Sequence, residues 1–355
     1  MQTLEDLLQL LVQDGGSDLH VTAGSPPRLR VDGELKPIEG ERLTPDLSKE
    51  LVYSVLKAEQ IARFERDLEL DFSFGISGLG RFRTNVFQQR GAVGAVMRIV
   101  PWEVMPMDKL GLPRSLLERL CALPKGLVLV TGATGSGKST TLAAMIDHIN
   151  NIRNDHVVTV EDPIEFVHRN KKCLFNQREV GTDTHGFAEA LRSVLRQDPD
   201  VVLIGEMRDQ ETVDAALRIS ETGHLTFGTL HTSDCVQTIN RIIDIFPSYQ
   251  QAQIRTQLSF VLEAVFCQQL LARADGRGRV LAAEIMVCNS AVRSLIRDDK
   301  AHQIYSIIQT SGKLGMRTMN QSLFELYRAG LINYEESLAH TSDPEDLKRV
   351  FQKTL

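Results

Sequence analysis

The stretch Gly132-Ala133-Thr134-Gly135-Ser136-Gly137-Lys138-Ser139 has the residue types and spacing that phosphate chemistry needs. Glycines let a backbone curl until several N–H groups point inward, and the start of a helix adds partial positive charge. In such a cradle Thr134, Gly135, Ser136, Gly137 and Thr140 surround the phosphates of a nucleotide. Lys138 reaches the β- and γ-phosphates, and the Ser139 hydroxyl ligates Mg²⁺. The flanks strengthen the reading: an apolar strand, Gly126 to Thr131, runs in, and a helix from Thr140 to about Ile149 runs out. A glycine-rich turn with a chance Lys-Ser would not require either flank.

Two acidic stretches follow. Asp155 to Phe166 reads as a strand ending in Glu161-Asp162-Pro163-Ile164-Glu165, and Asp200 to Asp209 as a second buried strand ending in Gly205-Glu206-Met207-Arg208. Ligands of an open parallel sheet bind beyond the carboxyl ends of its strands. Carboxylates there can polarise the water that attacks a γ-phosphate, and Glu206 is assigned that role, with Glu161 in support. The alternative for each is a solvated loop charge. The usual pattern ends the apolar run with a metal-ligating Asp, whereas here it ends at Gly205 and the first acid is Glu206. His224 and His231 lie seven residues apart across a further strand, roughly 23 Å if extended, so they do not chelate one ion. One of them is expected to face the γ-phosphate and the other a subunit boundary.

The elements that must position these groups fall into three stretches. Residues 1–100 open with a helical pattern (Leu4, Leu7, Leu8, Leu11, Val12) and a turn at Gly15–Asp18. Strand-like pieces follow at Leu19–Thr22, Arg28–Val31, Leu70–Phe74, Gly80–Gln88 and Ala92–Val100, with a helix over Asp46–Arg66. This reads as a small α+β domain. Pro101, Pro106 and Pro113 mark 101–115 as a stiff linker, with Trp102 as a packing residue. In 116–290 continuous apolar runs (127–130, 157–160, 201–204, 225–230) alternate with helices, as in a parallel sheet buried on both faces. From about 291 to 355 only helical patterns remain.

Composition bounds the function. The 355 residues carry a net charge of −6, which disfavours wrapping nucleic acid as the main activity. No apolar run approaches the ~20 residues of a membrane span. The five cysteines are dispersed without Cys-x-x-Cys spacing, so neither a zinc site nor a disulfide framework is expected.

Taken in order, the phosphate loop, the acidic stretch Val157–Glu165, the second acidic stretch Val201–Asp209 and the histidine stretch Glu221–Thr232 resemble the secretion-ATPase superfamily, the motors of type II secretion and type IV pili. The match covers nearly the whole chain, including Gly15-Gly16-Ser17-Asp18-Leu19-His20. Within the superfamily the chain is most similar to the pilus-retraction motors. Its N-terminal domain pattern begins almost immediately, where assembly motors are expected to carry a long extra region, their tetracysteine pattern is not found, and Ala291–Asp298 resembles the retraction motors' C-terminal AIRNLIRE signature. It departs from that signature at Val292, Ser294 and Asp298.

The resemblance implies a PAS-like first domain, a RecA-like P-loop core, a homo-hexameric ring and ATP with Mg²⁺. It further implies that Arg83 and Arg98 reach the nucleotide of a neighbouring subunit, with Arg208, Arg241 and Arg196 near the interface. The implied partners are the membrane platform protein of the pilus machine and a paralogous retraction ATPase, at the cytoplasmic face of the inner membrane. Alternatives left open are an assembly or secretion motor, a nucleic-acid motor, and a ring that binds ATP without hydrolysing it. By pattern alone, Val292, Leu295 and Ile296 form the buried stripe of an amphipathic helix.

Overall fold

The computed structural model describes residues 3–31, 33–100 and 103–354. Pro101 and Trp102 lie outside them, as does the very start of the first helical pattern. The chain divides into two compact units, Met1–Glu103 with Glu165–Val167, and Val104–Ile164 with His168–Leu355.

The first unit contains α1 (Leu4–Gln13), β1 (Asp18–Val21), β2 (Arg28–Val31), β3 (Glu34–Pro37), α2 (Pro45–Tyr53), α3 (Ala58–Asp67), β4 (Glu69–Ile76), β5 (Gly80–Gln89) and β6 (Ala92–Val100). α1 starts where Thr3 and Asp6 form a reciprocal capping box. Its Leu4, Leu7, Leu8 and Leu11 are buried in one core with Phe82, Val86 and Met97. The six strands run β3-β2-β1-β6-β5-β4, each pair antiparallel. Alternation along β5 buries Phe82, Thr84 and Val86 and leaves Arg83 exposed on the opposite face. The single helix expected over 46–66 is two: α2 ends at Tyr53, and α3 begins after Lys57 in extended backbone. β3 was not anticipated, because its four residues are all exposed and carry no apolar alternation.

The second unit begins at Val104, so most of the stretch read as a linker belongs to it. Pro106 and Pro113 precede a 3-10 turn at Met107–Lys109 and α4 (Arg114–Cys121). Then come β7 (Gly126–Thr131), α5 (Lys138–Ile152), β8 (His156–Glu161), β9 (Leu174–Glu179), α6 (Phe187–Val194), β10 (Val201–Ile204), α7 (Gln210–Glu221), β11 (Leu225–Leu230), α8 (Cys235–Asp244), α9 (Ser248–Val261), β12 (Leu262–Ala272) and β13 (Arg279–Val287). The helices α10 (Ser290–Arg297), α11 (Ile304–Thr310), α12 (Met319–Arg328), α13 (Tyr334–Ala339) and α14 (Pro344–Thr354) complete it.

The sheet order is β13-β12-β7-β11-β10-β8-β9, parallel except for the edge strand β13. β7, β10 and β11 are buried along their whole length. Successive residues feed opposite faces: Leu127, Leu129, Val202 and Ile204 join one core with α7 to α10, while Val128, Val130, Val201 and Leu203 join another with α4 and α5. Every parallel strand therefore ends at the same edge of the sheet, where the phosphate loop sits. β9, β12 and β13 were absent from the sequence reading, β9 because its Asn-Gln-Arg-Glu run is not strand-like by type. Val292 and Ile296 of α10 are fully buried against α9 and Leu295 partly, as the amphipathic reading expected.

All five cysteines are free thiols and buried. The fold nevertheless gathers Cys235, Cys267 and Glu284, which sequence spacing did not connect. The Cys235 backbone N–H donates to Glu284 Oε1 at 2.9 Å, and Thr131 Oγ1 donates to Cys267 Sγ at 3.0 Å. Burial raises the Glu284 carboxyl above the usual range.

Candidate active site

β7 runs into the loop at Gly132, whose φ of 139° no other residue adopts readily. A Cβ there would stand 2.4 Å from the Gln268 carbonyl oxygen and 2.6 Å from Ser136 Oγ, so the position also has no room for one. α7 and α8 begin with aspartates, Asp209 and Asp234, whose carboxylates accept from Thr212 and Gln237 N–H groups. α5 begins at Gly137 with no side-chain cap. Its first N–H groups thus lack an internal partner, which is the arrangement that holds an anion.

Three further observations fit a polyphosphate. Lys138 Nζ donates to the carbonyls of Gly132 and Ala133 at 2.8 and 3.0 Å, folded over the loop. Burial lowers the proton affinity of that amine, and the charge of Glu206 opposes the shift. Ser136 Oγ is buried without a hydrogen-bond partner among the described residues. Ser139 stands second in α5, half-buried. Mg²⁺ keeps most of its waters and needs few protein oxygens, so one hydroxyl beside a phosphate suffices.

The neighbouring strands β8 and β10 end side by side, Val160 opposite Ile204. Gly205 continues β10 by donating to Val160 O at 2.8 Å. A Cβ at 205 would lie 3.1 Å from both Val160 O and Glu161 Cα. The two backbones pass too closely for a side chain, which is why the first acid comes one residue later than in the usual pattern. Thr229 of β11 donates its hydroxyl to Gly205 O, and Met207 N–H donates to Thr229 O at 3.0 Å, so the turn carrying Glu206 is tied to β11. His231 Nε2 lies 2.9 Å from Glu206 Oε1, and Arg208 Nε donates to the same carboxylate. Glu206, Arg208 and His231 thus form one cluster at the carboxyl edge of the sheet, the edge that also carries Lys138, whose charge Glu206 supports.

Glu161 is buried, and its Oε1 accepts from the Thr159 hydroxyl at 2.6 Å and from Gln177 Nε2 at 3.3 Å. Arg208 is engaged with Glu206 rather than standing free for a phosphate. His224 stands at the opposite end of β11, with Nδ1 3.0 Å from Ile219 O and its own carbonyl accepting from Gly126 N–H. Six residues of strand separate it from His231, so it does not reach the loop of its own chain. Arg241 is exposed in the last turn of α8, and Arg196 is exposed after α6.

In the first unit, strand register lines up Arg83, Arg98, Asp18 and Arg30 across four adjacent strands. Asp18 is buried; Arg98 Nε donates to it at 2.7 Å, and Arg30 Nε lies 4.0 Å from it. Like charges directly opposite on a sheet repel, and a buried carboxylate beside them offsets that. Asp18 and Arg30 were missed. Asp18 was read as part of a turn, and its role depends on a pairing 80 residues distant in sequence.

A family model described as "Type II/IV secretion system protein" matches residues 1–338. The chain belongs to the type II/IV secretion system protein family. Among curated members of this family it is 50% identical over 343 residues to the type IV pilus retraction ATPase PilT of Pseudomonas aeruginosa, covering 97% of this chain and 99% of that one. It is 41% identical over 344 residues to the type IV pilus ATPase PilU of the same organism, covering 97% and 90%. A crystal structure of the pilus retraction motor PilT with bound ADP superposes with a TM-score of 0.92 at 50% identity, covering 98% of this chain and all of that one. No helix among the described residues is long and apolar enough to cross a membrane.

Proposed function

We propose that this chain is an ATP-hydrolysing motor that powers retraction of type IV pili. The observation carrying the reading is the contact of Glu206 with His231 at the sheet edge that also carries Lys138 and an uncapped helix start, in a chain similar over 97% of its length to a retraction ATPase. Backbone N–H groups of 134–140 and the Lys138 ammonium hold the phosphates. Ser139 holds Mg²⁺, which neutralises charge on them when bound. Glu206 is acidic, only partly exposed and held from two sides, and it orients the attacking water. His231 sits against the same carboxylate, so a change at the γ-phosphate moves both together.

The arginine row of the first unit supports a site shared between copies in a homo-hexamer. Guanidinium groups supplied by a neighbour stabilise charge on the transferring phosphoryl and tie hydrolysis to movement. The proposed partners are the inner-membrane platform protein and a PilU-like paralogue, at the cytoplasmic face. Solution mass tests the ring: a single chain under all nucleotide conditions contradicts it. Gene deletion tests the direction of work. A hyperpiliated cell without twitching agrees with retraction, and a bald cell overturns it in favour of assembly or secretion. ATPase activity stimulated many-fold by DNA would instead make the chain a nucleic-acid motor.

A further inference from the structure

Gln268 is a buried polar residue to which the proposed chemistry gives no role. β12 pairs with β7 up to Cys267 opposite Thr131, so the next residue, Gln268, lies beside the start of the phosphate loop. Its carbonyl oxygen fills the space that a Gly132 side chain would need, 2.4 Å from the ideal Cβ position. The residue is 1% exposed, and Nε2 donates to Thr141 Oγ1 at 2.8 Å, in the first turn of α5. A Cβ on Gly137 would meet Leu270 Cδ1 of the same strand at 3.6 Å and Gln268 Oε1 at 4.0 Å. One strand therefore lies against both ends of the loop and holds the helix that leaves it. A buried amide is costly unless hydrogen-bonded, and along β12 the neighbouring buried positions Val265, Phe266 and Leu271 are apolar. The exception is explained by what Gln268 holds.

We propose that Gln268 is a positioning residue for the phosphate loop, its amide fixing through Thr141 and the first turn of α5 where the loop's N–H groups stand, and thereby setting affinity for a nucleotide's phosphates. The inference rests on the nucleotide-binding reading of the loop. A preorganised cradle is needed equally by bound substrate and transition state, so its loosening weakens binding more than it slows the chemical step.

The test compares Gln268→Leu, Thr141→Val, the double variant and Thr141→Ser in the full chain. It measures affinity for a fluorescent ADP, the KM and kcat for ATP, and the melting temperature. Each apolar single variant is expected to weaken ADP binding and raise KM about tenfold, with kcat within about threefold. The double variant should be no worse than either single, since each single already breaks the same Gln268–Thr141 contact, Nε2 donating to Oγ1 at 2.8 Å and Oγ1 donating to Oε1 at 3.3 Å. Thr141→Ser, which keeps the hydroxyl, should behave as the parent. Ser48→Ala removes a buried hydroxyl that donates to Val93 O at 2.5 Å in the first unit, and should lower melting temperature without moving affinity. Should Gln268→Leu fail to fold, the contrast between Thr141→Val and Thr141→Ser decides alone. A parent that binds ADP together with apolar variants that bind it within twofold overturns the inference. Equal damage from Thr141→Ser and Thr141→Val does so as well. A parent that binds no nucleotide overturns the reading of the loop and this inference with it.

Discussion

Gly205→Ala tests why the acid beyond β10 is displaced to Glu206. The added methyl would sit 3.1 Å from Val160 O and from Glu161 Cα, tighter than ordinary van der Waals contact, and both neighbours are backbone. Neither can swing aside, so the end of β10 must move by a few tenths of an ångström. Overpacking of this kind costs about 1–3 kcal/mol. The Gly205 N–H to Val160 O bond lengthens with it, a further loss of at most about 1 kcal/mol. Glu206 is the next residue, and because a 1 Å misplacement of a reacting geometry costs about 100-fold, a few tenths should lower kcat about three- to tenfold. Urea unfolding and steady-state turnover read the two effects, and ADP affinity should hold. A variant with parental stability and parental kcat would refute the argument that backbone proximity dictates glycine here.

Asp18→Asn should destabilise the first unit by about 1–2 kcal/mol, because it removes the buried partner of Arg98; exposure of the arginine discounts the figure. Thermal melting reads it, and an unchanged melting temperature contradicts the arginine row as described. His168 is stacked on Phe175, and burial lowers its pKa from 6.5 to about 4. The unfolded chain takes up the proton as pH falls below 6.5 while the folded chain does so only near 4, so stability present above 6.5 is lost across that window, about 2 kcal/mol of it between pH 7 and 5. His168→Phe should remove that share of the slope in urea unfolding at the two pH values, and an identical slope excludes it. In the Ala291–Asp298 stretch, Arg293 Nη1 donates to Ser259 O and Phe260 O at 2.8 Å each, and Nη2 donates to Glu263 Oε1 at 2.9 Å. Arg293→Ala should cost about 2 kcal/mol by leaving the end of α9 uncapped; a loss below 0.5 kcal/mol in urea unfolding, on the order of an ordinary surface change, would mean the contact does no structural work.

Much of the site could be read from sequence because its chemistry is local. The loop from Gly132 to Ser139 needs its glycines at fixed offsets and a helix directly after, and continuous apolar runs could only be buried parallel strands. Glu206 and His231 were singled out for their places past strand ends, and the fold puts the two in contact. What escaped depends on pairings distant along the chain. β12 and β13 mix Gln and Glu into apolar runs because those polar groups meet Thr141 and Cys235, and neither partner is visible locally. Asp18 sits in a turn-like string, yet strand register places it between two arginines. The displaced acid at Glu206 looked like a departure from pattern until the closeness of β8 and β10 supplied the cause. Of the two histidines, His224 stands at the end of β11 away from the loop and His231 at the end beside Glu206, a difference that only the sheet's strand order reveals.

Whether the loop and Glu206 form a site that hydrolyses ATP is read from Glu206→Gln. The amide keeps the shape and one acceptor oxygen opposite His231 and Arg208 but cannot polarise water. Binding of fluorescent ATP should stay within about threefold of the parent while Mg²⁺-dependent turnover falls at least about 100-fold. Turnover in Glu206→Gln equal to that of the parent would mean that Glu206 does not activate the attacking water.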